Sequence, residues 1–230
     1  MLEALIFDVD GTLAETEELH RRAFNETFAD HGLGWHWSRD DYRRLLQTTG
    51  GKERIARYLQ KLGKDAGAVD IPALHRAKTK RYTDLMVQGE IALRDGIAPL
   101  IDEAHTAGVT VAIATTTSRP NVDALCLAAF GCAAPDLFGV IACGDEVRAK
   151  KPAPDVYVLA LERLGLSASN AIALEDSANG LMSARGAGLD CLVSPSAYTD
   201  GDSFDGALRV VDSFSSIGGL EGITALSQNT

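Results

Sequence analysis

The chain has 230 residues, of which 46% are apolar and 23% are charged, and its formal net charge is −10. This length and composition predict a soluble globular protein, either one α/β domain with an insertion or two small domains. The negative charge argues against a nucleic-acid partner and against an anionic membrane surface, so a phosphorylated ligand would need a local basic site.

Several sequence features favour a cytoplasmic location. No apolar stretch approaches membrane-spanning length, and a strand begins directly after residue 3, which leaves no room for a signal peptide. The cysteines form no Cys-x-x-Cys pair and have no nearby His, which predicts reduced thiols instead of zinc ligands. They are Cys126, Cys132, Cys143 and Cys191. We expect a monomer whose partner is a small molecule.

The first predicted element is a buried strand over residues 4–7, which Asp8, Asp10 and Gly11 follow. Positions i and i+2 of a strand share a face, so both carboxylates can converge beyond the sheet edge, where Gly11 lets the backbone turn. Two anions this close repel each other unless a cation or a shared proton compensates, and oxygen ligands favour Mg²⁺. Taken alone, the pattern also fits an ordinary turn with two surface Asp residues.

Residues 16–88 predict a helical insertion after this strand. Apolar residues recur there at helical spacing in three stripes, and the third helix is expected to open with Asp70 and Pro72 at capping positions. We expect the stripes to pack as core and not to contact a ligand. They are Leu19, Ala23, Phe24, Thr27 and Phe28; Ile55, Tyr58, Leu59 and Leu62; and Leu74, Ala77, Arg81 and Leu85.

From residue 89 the pattern alternates between helix and strand, which predicts a doubly wound parallel α/β sheet. The predicted strands cover 109–114, 140–143, 171–174 and 190–193, and the predicted helices cover 97–107, 121–130, 152–164 and 178–187. The stretch 215–230 contains Gly and Ser and is expected to fray. Ligands bind such sheets at the carboxyl ends of the strands. The polar residues at these ends are Asp8, Asp10, Thr115, Glu175 and Asp176.

Four short motifs stand out along the chain. They are Asp8-Val9-Asp10-Gly11-Thr12, the strand that ends in Thr115, Lys151-Pro152, and Glu175-Asp176 after another strand. The same motifs in the same order characterise the haloacid dehalogenase superfamily, which the chain resembles over residues 1 to about 195. The resemblance implies a Rossmann-like catalytic core (residues 1–15 and 89–230). It also implies a small helical cap (residues 16–88) that closes over the active site.

The resemblance further implies a Mg²⁺-dependent phosphatase that works through an aspartyl phosphate. Asp8 would be the nucleophile, while Asp10 would protonate the leaving alcohol and then activate water. Mg²⁺ would be held by the Asp8 side chain, the Asp10 carbonyl and Asp176. Glu175 would ligate the metal directly or through water, and we rank it after Asp176.

Residues after the second core strand are expected to contact the transferring phosphoryl group. Thr115 can hydrogen-bond a phosphoryl oxygen, and Thr116 and Thr117 add hydroxyls and amides at a helix start, which is a natural anion site. The same run would also serve as a helix cap. Lys151 can neutralise phosphate charge, whereas its neighbour Lys150 is expected to be a surface charge.

Two pairs of cap residues are candidates for substrate binding. Glu17 and His20 lie about one helical turn apart, so both can face one point, and their helix begins directly after the catalytic turn. His75 and Lys78 belong to a basic cluster, and Lys78 matches a substrate-facing Lys of related sugar-phosphate enzymes.

A glycine-containing segment of the cap is a candidate for a second, non-reacting phosphate. Gly50 and Gly51 provide a flexible backbone, and Lys52 and Arg54 add two cations at a predicted helix start. A plain loop with solvated charges fits the same residues equally well.

Within the superfamily, residues 14–20 and 48–55 resemble the CbbY-type phosphatases. That resemblance implies a sugar bisphosphate substrate, notably xylulose-1,5-bisphosphate, an inhibitor of Rubisco in the Calvin cycle. A β-phosphoglucomutase-like isomerase and a broad sugar-monophosphate phosphatase stay open as alternatives, and a non-catalytic binding role is a third. Thr12 is the residue that hydrolases of this superfamily usually carry, which favours a phosphatase over the isomerase.

Overall fold

The computed structural model describes residues 1–89 and 91–228, and within them six parallel strands form one sheet. The strands are β1 (Ala4–Phe7), β2 (Thr110–Ala114), β3 (Val140–Ala142), β4 (Ala171–Glu175), β5 (Asp190–Val193) and β6 (Arg209–Val210). Their order in the sheet is β3-β2-β1-β4-β5-β6. The predicted doubly wound parallel sheet is therefore confirmed.

Strand β1 lies at the centre of the sheet and pairs with β2 on one side and β4 on the other. All of its residues are fully buried, because helices cover both faces of a parallel sheet and leave no face for water. From β1 the chain continues to β2 and β3 on one side of the sheet and then crosses to β4, β5 and β6 on the other side, so a crevice forms between the carboxyl ends of β1 and β4. Open sheets of this kind bind ligands at such a switch point.

The cap contains four helices between β1 and the rest of the sheet. They are α1 (Glu17–Asp30), α2 (Arg39–Leu46), α3 (Gly51–Lys61) and α4 (Ile71–Val87). The predicted stripe on α1 is buried, and Asp70 caps α4 by accepting a 2.9 Å hydrogen bond from the amide of Ala73. The bounds assigned to the cap from the sequence, residues 16–88, stay a prediction.

An aromatic cluster forms a separate core inside the cap. Trp37 is fully buried among Phe24, Phe28 and Tyr42, and its ring centroid lies 4.7 Å from that of Phe24. Aliphatic residues from α3 and α4 complete the cluster, including Ile55 and Leu74 of the predicted stripes. The cap therefore has an apolar core of its own, although the inner ends of α1 and α4 also pack on the core of the sheet.

Six more helices surround the sheet. They are α5 (Ile97–Ala107), α6 (Arg119–Phe130), α7 (Ala134–Leu137), α8 (Asp155–Leu164), α9 (Ala178–Gly186) and α10 (Gly219–Ser227), counted within the described residues. The predicted helices of the core agree with α5, α6, α8 and α9 to within three residues at each end. Their bounds differ because helix ends depend on local capping as well as on the apolar pattern.

Four elements differ from the sequence-based expectations. The fraying expected over 215–230 is wrong for residues 219–227, because α10 packs on the core through the fully buried Ile223. Helices α2 and α7 and strand β6 were not predicted, since each is too short to show clear periodicity. Residues 90, 229 and 230 of the predicted core lie outside the described residues.

The described part of the chain also bears on the membrane and cysteine predictions. None of its helices is both long and apolar enough to cross a lipid bilayer. Cys126, Cys143 and Cys191 are buried free thiols, and Cys132 is a half-buried free thiol. The free thiols agree with the prediction of reduced cysteines, while the expectation that they bind no zinc stays a prediction.

We predict that Trp37→Ala lowers the free energy of unfolding by about 3–5 kcal/mol, because it leaves a cavity in the aromatic core of the cap. Urea denaturation followed by circular dichroism would measure the change. Leu127→Ala is the control, since Leu127 is 62% exposed and its truncation should change stability by less than about 0.5 kcal/mol. A loss below about 1 kcal/mol for Trp37→Ala would contradict this view of the cap.

Candidate active site

A cavity of about 650 Å³ lies between the carboxyl ends of the strands and the cap. Its position agrees with the crevice that the strand order creates beside β1. Most of the residues predicted from the sequence line it. The core contributes Asp8, Asp10, Thr116, Thr117, Lys151 and Asp176, and the cap contributes Glu17, His20, Gly50, Gly51, Arg54, His75 and Lys78.

A buried ion-pair network connects the ends of β1 and β4. The Lys151 ammonium donates to Asp8 at 2.7 Å, to Glu175 at 2.6 Å and to the Ala114 carbonyl at 2.9 Å. Burial alone would lower the pKa of Lys151, but the two carboxylates raise it above its usual value, so the group stays a cation. The Tyr157 hydroxyl donates to the same Glu175 oxygen at 2.6 Å and fixes its orientation.

Three carboxyl groups meet at this point of the sheet. Ligand oxygens of Asp8, Glu175 and Asp176 lie within 4.8 Å of one another, and all three residues are buried. Burial, with the charge of Glu175 as a further contribution, raises the pKa of Asp8 to about 7 even though Lys151 opposes the shift. Burial and the charges of Asp8 and Glu175 also raise the pKa of Asp176 well above its usual range. A cation would relieve this repulsion, and the all-oxygen donor set fits Mg²⁺.

Asp10 has a different environment because it faces the cap. Its carboxylate accepts hydrogen bonds from the Thr16 hydroxyl at 2.5 Å and from His20 at 3.0 Å. The other ring nitrogen of His20 lies 2.5 Å from the Lys78 ammonium, so Lys78, His20 and Asp10 form a chain of hydrogen bonds. Burial alone would raise the pKa of Asp10, but its interactions with His20, the Thr16 hydrogen bond and the nearby charge of Lys78 hold it well below its usual range. Burial lowers the pKa of Lys78 to about 7.

Helix α3 brings a buried cation, Arg54, to the cavity. The Arg54 guanidinium donates to the Tyr42 hydroxyl at 2.8 Å, and Tyr42 donates to a Glu17 carboxylate oxygen at 2.9 Å. Arg54 is 8% exposed, and its hydrogen bonds go to neutral oxygens, the second being the Thr48 carbonyl. Gly51 lies so close to the His75 ring that a side chain at this position would overlap it.

Two lysines differ from their predicted positions. Lys52 does not line the cavity: its side chain is 43% exposed, and its ammonium lies 3.5 Å from Asp145 of the core. Positions i and i+2 of a helix point to different sides, so Arg54 enters the cavity and Lys52 points away from it. Lys150, predicted to be a surface charge, lines the cavity with a side chain that is 17% exposed. The approach of the cap buries it, which the local sequence does not show.

The basic cluster predicted around His75 is less positive than its sequence suggests. His75 lines the cavity, but burial and the charges of Lys78, Lys52 and Lys150 lower its pKa to about 3. His75 is therefore neutral near pH 7 and can offer a hydrogen bond but no charge. The basic side chains beside His75 in the cavity lining are Arg54, Lys78 and Lys150.

Only two of the three threonines after β2 line the cavity. Thr116 and Thr117 line the cavity, whereas Thr115 is buried and its hydroxyl accepts a 3.2 Å hydrogen bond from the Thr117 amide. Asn121 of α6 donates to the Thr117 hydroxyl at 2.8 Å and lines the cavity as well. The helix-cap role predicted as an alternative for this run is wrong, because the N-cap residue of α6 is Ser118 and its side chain makes no capping hydrogen bond.

Sequence reasoning missed Tyr42 and Tyr157. Tyr42 was missed together with α2, although Ser38 and Asp41 give a helix-start signal: the Ser38 hydroxyl accepts a 3.1 Å hydrogen bond from the Asp41 amide. Tyr157 looked like one more apolar-face residue of α8, and nothing local indicates that its hydroxyl reaches Glu175.

Comparison with known proteins agrees with this geometry. Residues 2–188 match the haloacid dehalogenase-like hydrolase family. Protein CbbY from Cereibacter sphaeroides is 60% identical over 223 residues, which cover 97% of each chain. The crystal structure of CbbY from Rhodobacter sphaeroides in complex with phosphate is 60% identical, with a TM-score of 0.95, and the match covers 97% of this chain and 100% of that chain.

A further crystal structure contains a sugar bisphosphate. It is the D10N variant of CbbY from Rhodobacter sphaeroides in complex with xylulose-1,5-bisphosphate. It is 60% identical to this chain, with a TM-score of 0.94, and the match covers 96% of this chain and 99% of that chain.

The buried cluster of Asp8, Glu175 and Asp176 predicts how Mg²⁺ binding would change the free energy of unfolding. Because the folded state raises the pKa of Asp176, ionisation of this group destabilises the metal-free protein as pH rises above the usual carboxyl range. Asp176→Asn should therefore unfold at the same temperature as wild type or higher in the presence of a chelator near pH 7. Mg²⁺ at 100 times its dissociation constant should stabilise wild type by about 2.7 kcal/mol and the variant far less. An equal rise in unfolding temperature for both proteins would place the metal elsewhere.

Proposed function

The chain belongs to the haloacid dehalogenase-like hydrolase family, and on this premise we propose that it is a phosphatase that removes one phosphate from a sugar bisphosphate. Xylulose-1,5-bisphosphate is the first candidate, which would give the enzyme a role in removing an inhibitor of Rubisco. The observation that carries the proposal is a single cavity with a nucleophile and a cation at its floor and a second buried cation, Arg54, in its cap wall. The complex of the similar CbbY protein with this sugar supports it.

The first half of the reaction would transfer the phosphoryl group to Asp8. A carboxylate oxygen of Asp8 attacks phosphorus, the bond to the sugar oxygen breaks, and Asp10 gives that oxygen a proton. Lys151, which touches Asp8 in the free enzyme, is placed to neutralise the charge of the transferring group. Thr115 stays a predicted contact of this group, because it follows Ala114, whose carbonyl Lys151 contacts.

The second half would release phosphate by hydrolysis of the aspartyl phosphate. Asp10 takes a proton from water as the water attacks phosphorus, and Asp8 is restored as a carboxylate. The contacts with His20 and Thr16 hold Asp10 as the carboxylate that this step needs. For the first step Asp10 must carry a proton, and the negative phosphate of a bound substrate would raise its pKa in the required direction.

We propose that Mg²⁺ is held by Asp8, the Asp10 carbonyl and Asp176, and that it supplies charge neutralisation at the phosphoryl oxygens. One oxygen of Glu175 already accepts hydrogen bonds from both Lys151 and Tyr157. We therefore assign Glu175 mainly to the orientation of Lys151. The proposed setting is a monomer in the cytoplasm, in keeping with the free cysteines of the described chain.

The cap would select substrates through its cations. Arg54 donates to neutral oxygens and lies in a buried wall, so an anion from the substrate would compensate its charge. Lys150 lines the same cavity and adds positive charge, and so does Lys78 in its protonated form, which an anionic substrate would favour. A second phosphate suits this wall better than an uncharged sugar hydroxyl, which favours a bisphosphate over a monophosphate.

An isomerase of the β-phosphoglucomutase type is the second candidate function, because it would need the same pair of Asp8 and Asp10. Phosphate release from xylulose-1,5-bisphosphate, sugar monophosphates and β-glucose 1-phosphate separates the two functions. Stoichiometric release of inorganic phosphate with Mg²⁺ present is expected. Conversion of β-glucose 1-phosphate to its 6-phosphate without phosphate release would overturn the phosphatase proposal.

We predict that Asp8→Asn abolishes turnover while leaving the fold intact, because the amide removes the nucleophile with little change in volume. Phosphate release should fall below detection with Mg²⁺ present. Circular dichroism and the unfolding temperature report whether the fold is kept. Activity near the wild-type rate in a folded Asp8→Asn protein would reject the covalent mechanism.

The bisphosphate proposal predicts different effects for two neighbouring cations. Arg54→Met should lower kcat/KM for xylulose-1,5-bisphosphate by one to two decades more than for a sugar monophosphate, since a charge-assisted hydrogen bond contributes roughly 1.5–3 kcal/mol. Lys52→Met is the matched control: it makes the same replacement two residues away, outside the cavity, and should leave both substrates nearly unaffected. Equal losses on both substrate classes for Arg54→Met would favour a broad sugar-monophosphate phosphatase over the proposed bisphosphate phosphatase.

A further inference from the structure

Arg94 lies where the chain returns from the cap to the core. Its amide donates to the Leu13 carbonyl at 2.8 Å, and the neighbouring Leu93 forms an antiparallel bridge with Ala14. The two connections between cap and core therefore run side by side at this point. Arg94 does not line the cavity, so it is placed to act on the site through other residues and not on the substrate.

The Arg94 guanidinium joins two other segments of the chain, the turn after β1 and the segment that follows β5. One terminal nitrogen donates to the carbonyls of Gly11 and Ser194, the latter at 2.7 Å. The other terminal nitrogen donates to the Ser194 hydroxyl at 2.9 Å and to the Pro195 carbonyl at 2.8 Å. The third nitrogen lies 3.5 Å from the Glu15 carboxylate, and the side chain is only 12% exposed. Lysine has a single nitrogen and cannot reproduce this planar set of contacts.

The segments that Arg94 joins carry the two sides of the proposed metal site. Gly11 directly follows Asp10, in the turn after β1. The segment from Ser194 onward supports Asp176: the Ser196 amide donates to the Thr199 hydroxyl at 2.8 Å, and Thr199 donates to the Asp176 carbonyl at 2.6 Å. Gly11 lies close to both parts of this support: a Cβ atom on Gly11 would overlap the Asp176 carboxylate and would lie 3.2 Å from the Ser196 side chain.

We propose that Arg94 is a positioning residue for the metal site, a role that rests on the proposed Mg²⁺-dependent function. Its guanidinium sets the separation between the turn that holds Asp8 and Asp10 and the segment that supports Asp176. It acts by geometry, because its terminal nitrogens donate to backbone carbonyls of both segments. None of these hydrogen bonds goes to the side chains of Asp8, Asp10 or Asp176. Contacts one step beyond the ligands typically change metal affinity 10- to 100-fold when they are removed.

Calorimetric titration of Mg²⁺ into substrate-free protein tests the proposal. Arg94→Lys keeps the charge and removes the planar set of donors, so its Mg²⁺ dissociation constant should rise about tenfold or more. At saturating Mg²⁺ its kcat should fall while KM for the sugar bisphosphate stays near the wild-type value. Arg81→Lys is the matched control, because Arg81 joins two cap helices through an ion pair with Glu26 outside the cavity. Its Mg²⁺ affinity should equal that of wild type.

Ser194→Ala is the second variant, in case Arg94→Lys does not fold, and circular dichroism monitors both. It removes one hydroxyl acceptor of Arg94, so we expect weaker Mg²⁺ binding by a smaller factor. An unchanged Mg²⁺ dissociation constant in folded Arg94→Lys overturns the proposal, and so does an unchanged value in Ser194→Ala when Arg94→Lys cannot be obtained. Failure of the wild-type protein to bind Mg²⁺ is a different result, which rejects the proposed function and this inference with it.

Discussion

The burial of three carboxyl groups at one point of the sheet is the interaction on which the rest of the site depends. Asp8, Glu175 and Asp176 repel one another there, and their burial weakens the screening of this repulsion by solvent. The Lys151 ammonium compensates part of the charge through its contacts with Asp8 and Glu175. The remaining negative charge suits the cation of the proposed metal site, and the cluster is held in place because β1 and β4 are buried, directly paired neighbours.

The two aspartates of the first motif show how environment separates chemical roles. Asp8 and Asp10 are only two residues apart, yet their pKa values move in opposite directions. Burial beside the acidic cluster raises the pKa of Asp8 to about 7. The interactions of Asp10 with His20 and Thr16 and the charge of Lys78 outweigh the effect of burial and lower the pKa of Asp10. Groups whose pKa values are driven apart in this way can take different parts in one reaction. Since His20 and Lys78 belong to the cap, the proton transfer proposed for Asp10 would depend on the cap as well as on the core.

Much of the core and of its acidic site could be predicted because the signals are local. A short apolar strand followed by Asp8 and Asp10 defines both the element and its polar end, and the alternation after residue 89 defines a parallel sheet. The cap was harder to predict. Its helices show periodicity, but the direction of each cation depends on how α3 meets the core, so Lys52 and Lys150 were placed wrongly.

The sequence by itself determined the order of elements, the acidic residues at the strand ends and the helical nature of the cap. These properties depend on residues close together in the chain, where backbone periodicity decides which side chains share a face. Only the tertiary structure decided that Tyr157 orients Glu175, that Tyr42 connects Arg54 with Glu17, and that Arg94 joins the turn after β1 to the segment after β5. Such contacts form between residues distant in the chain, and a hydrogen bond needs positions accurate to a few tenths of an ångström that no local pattern specifies.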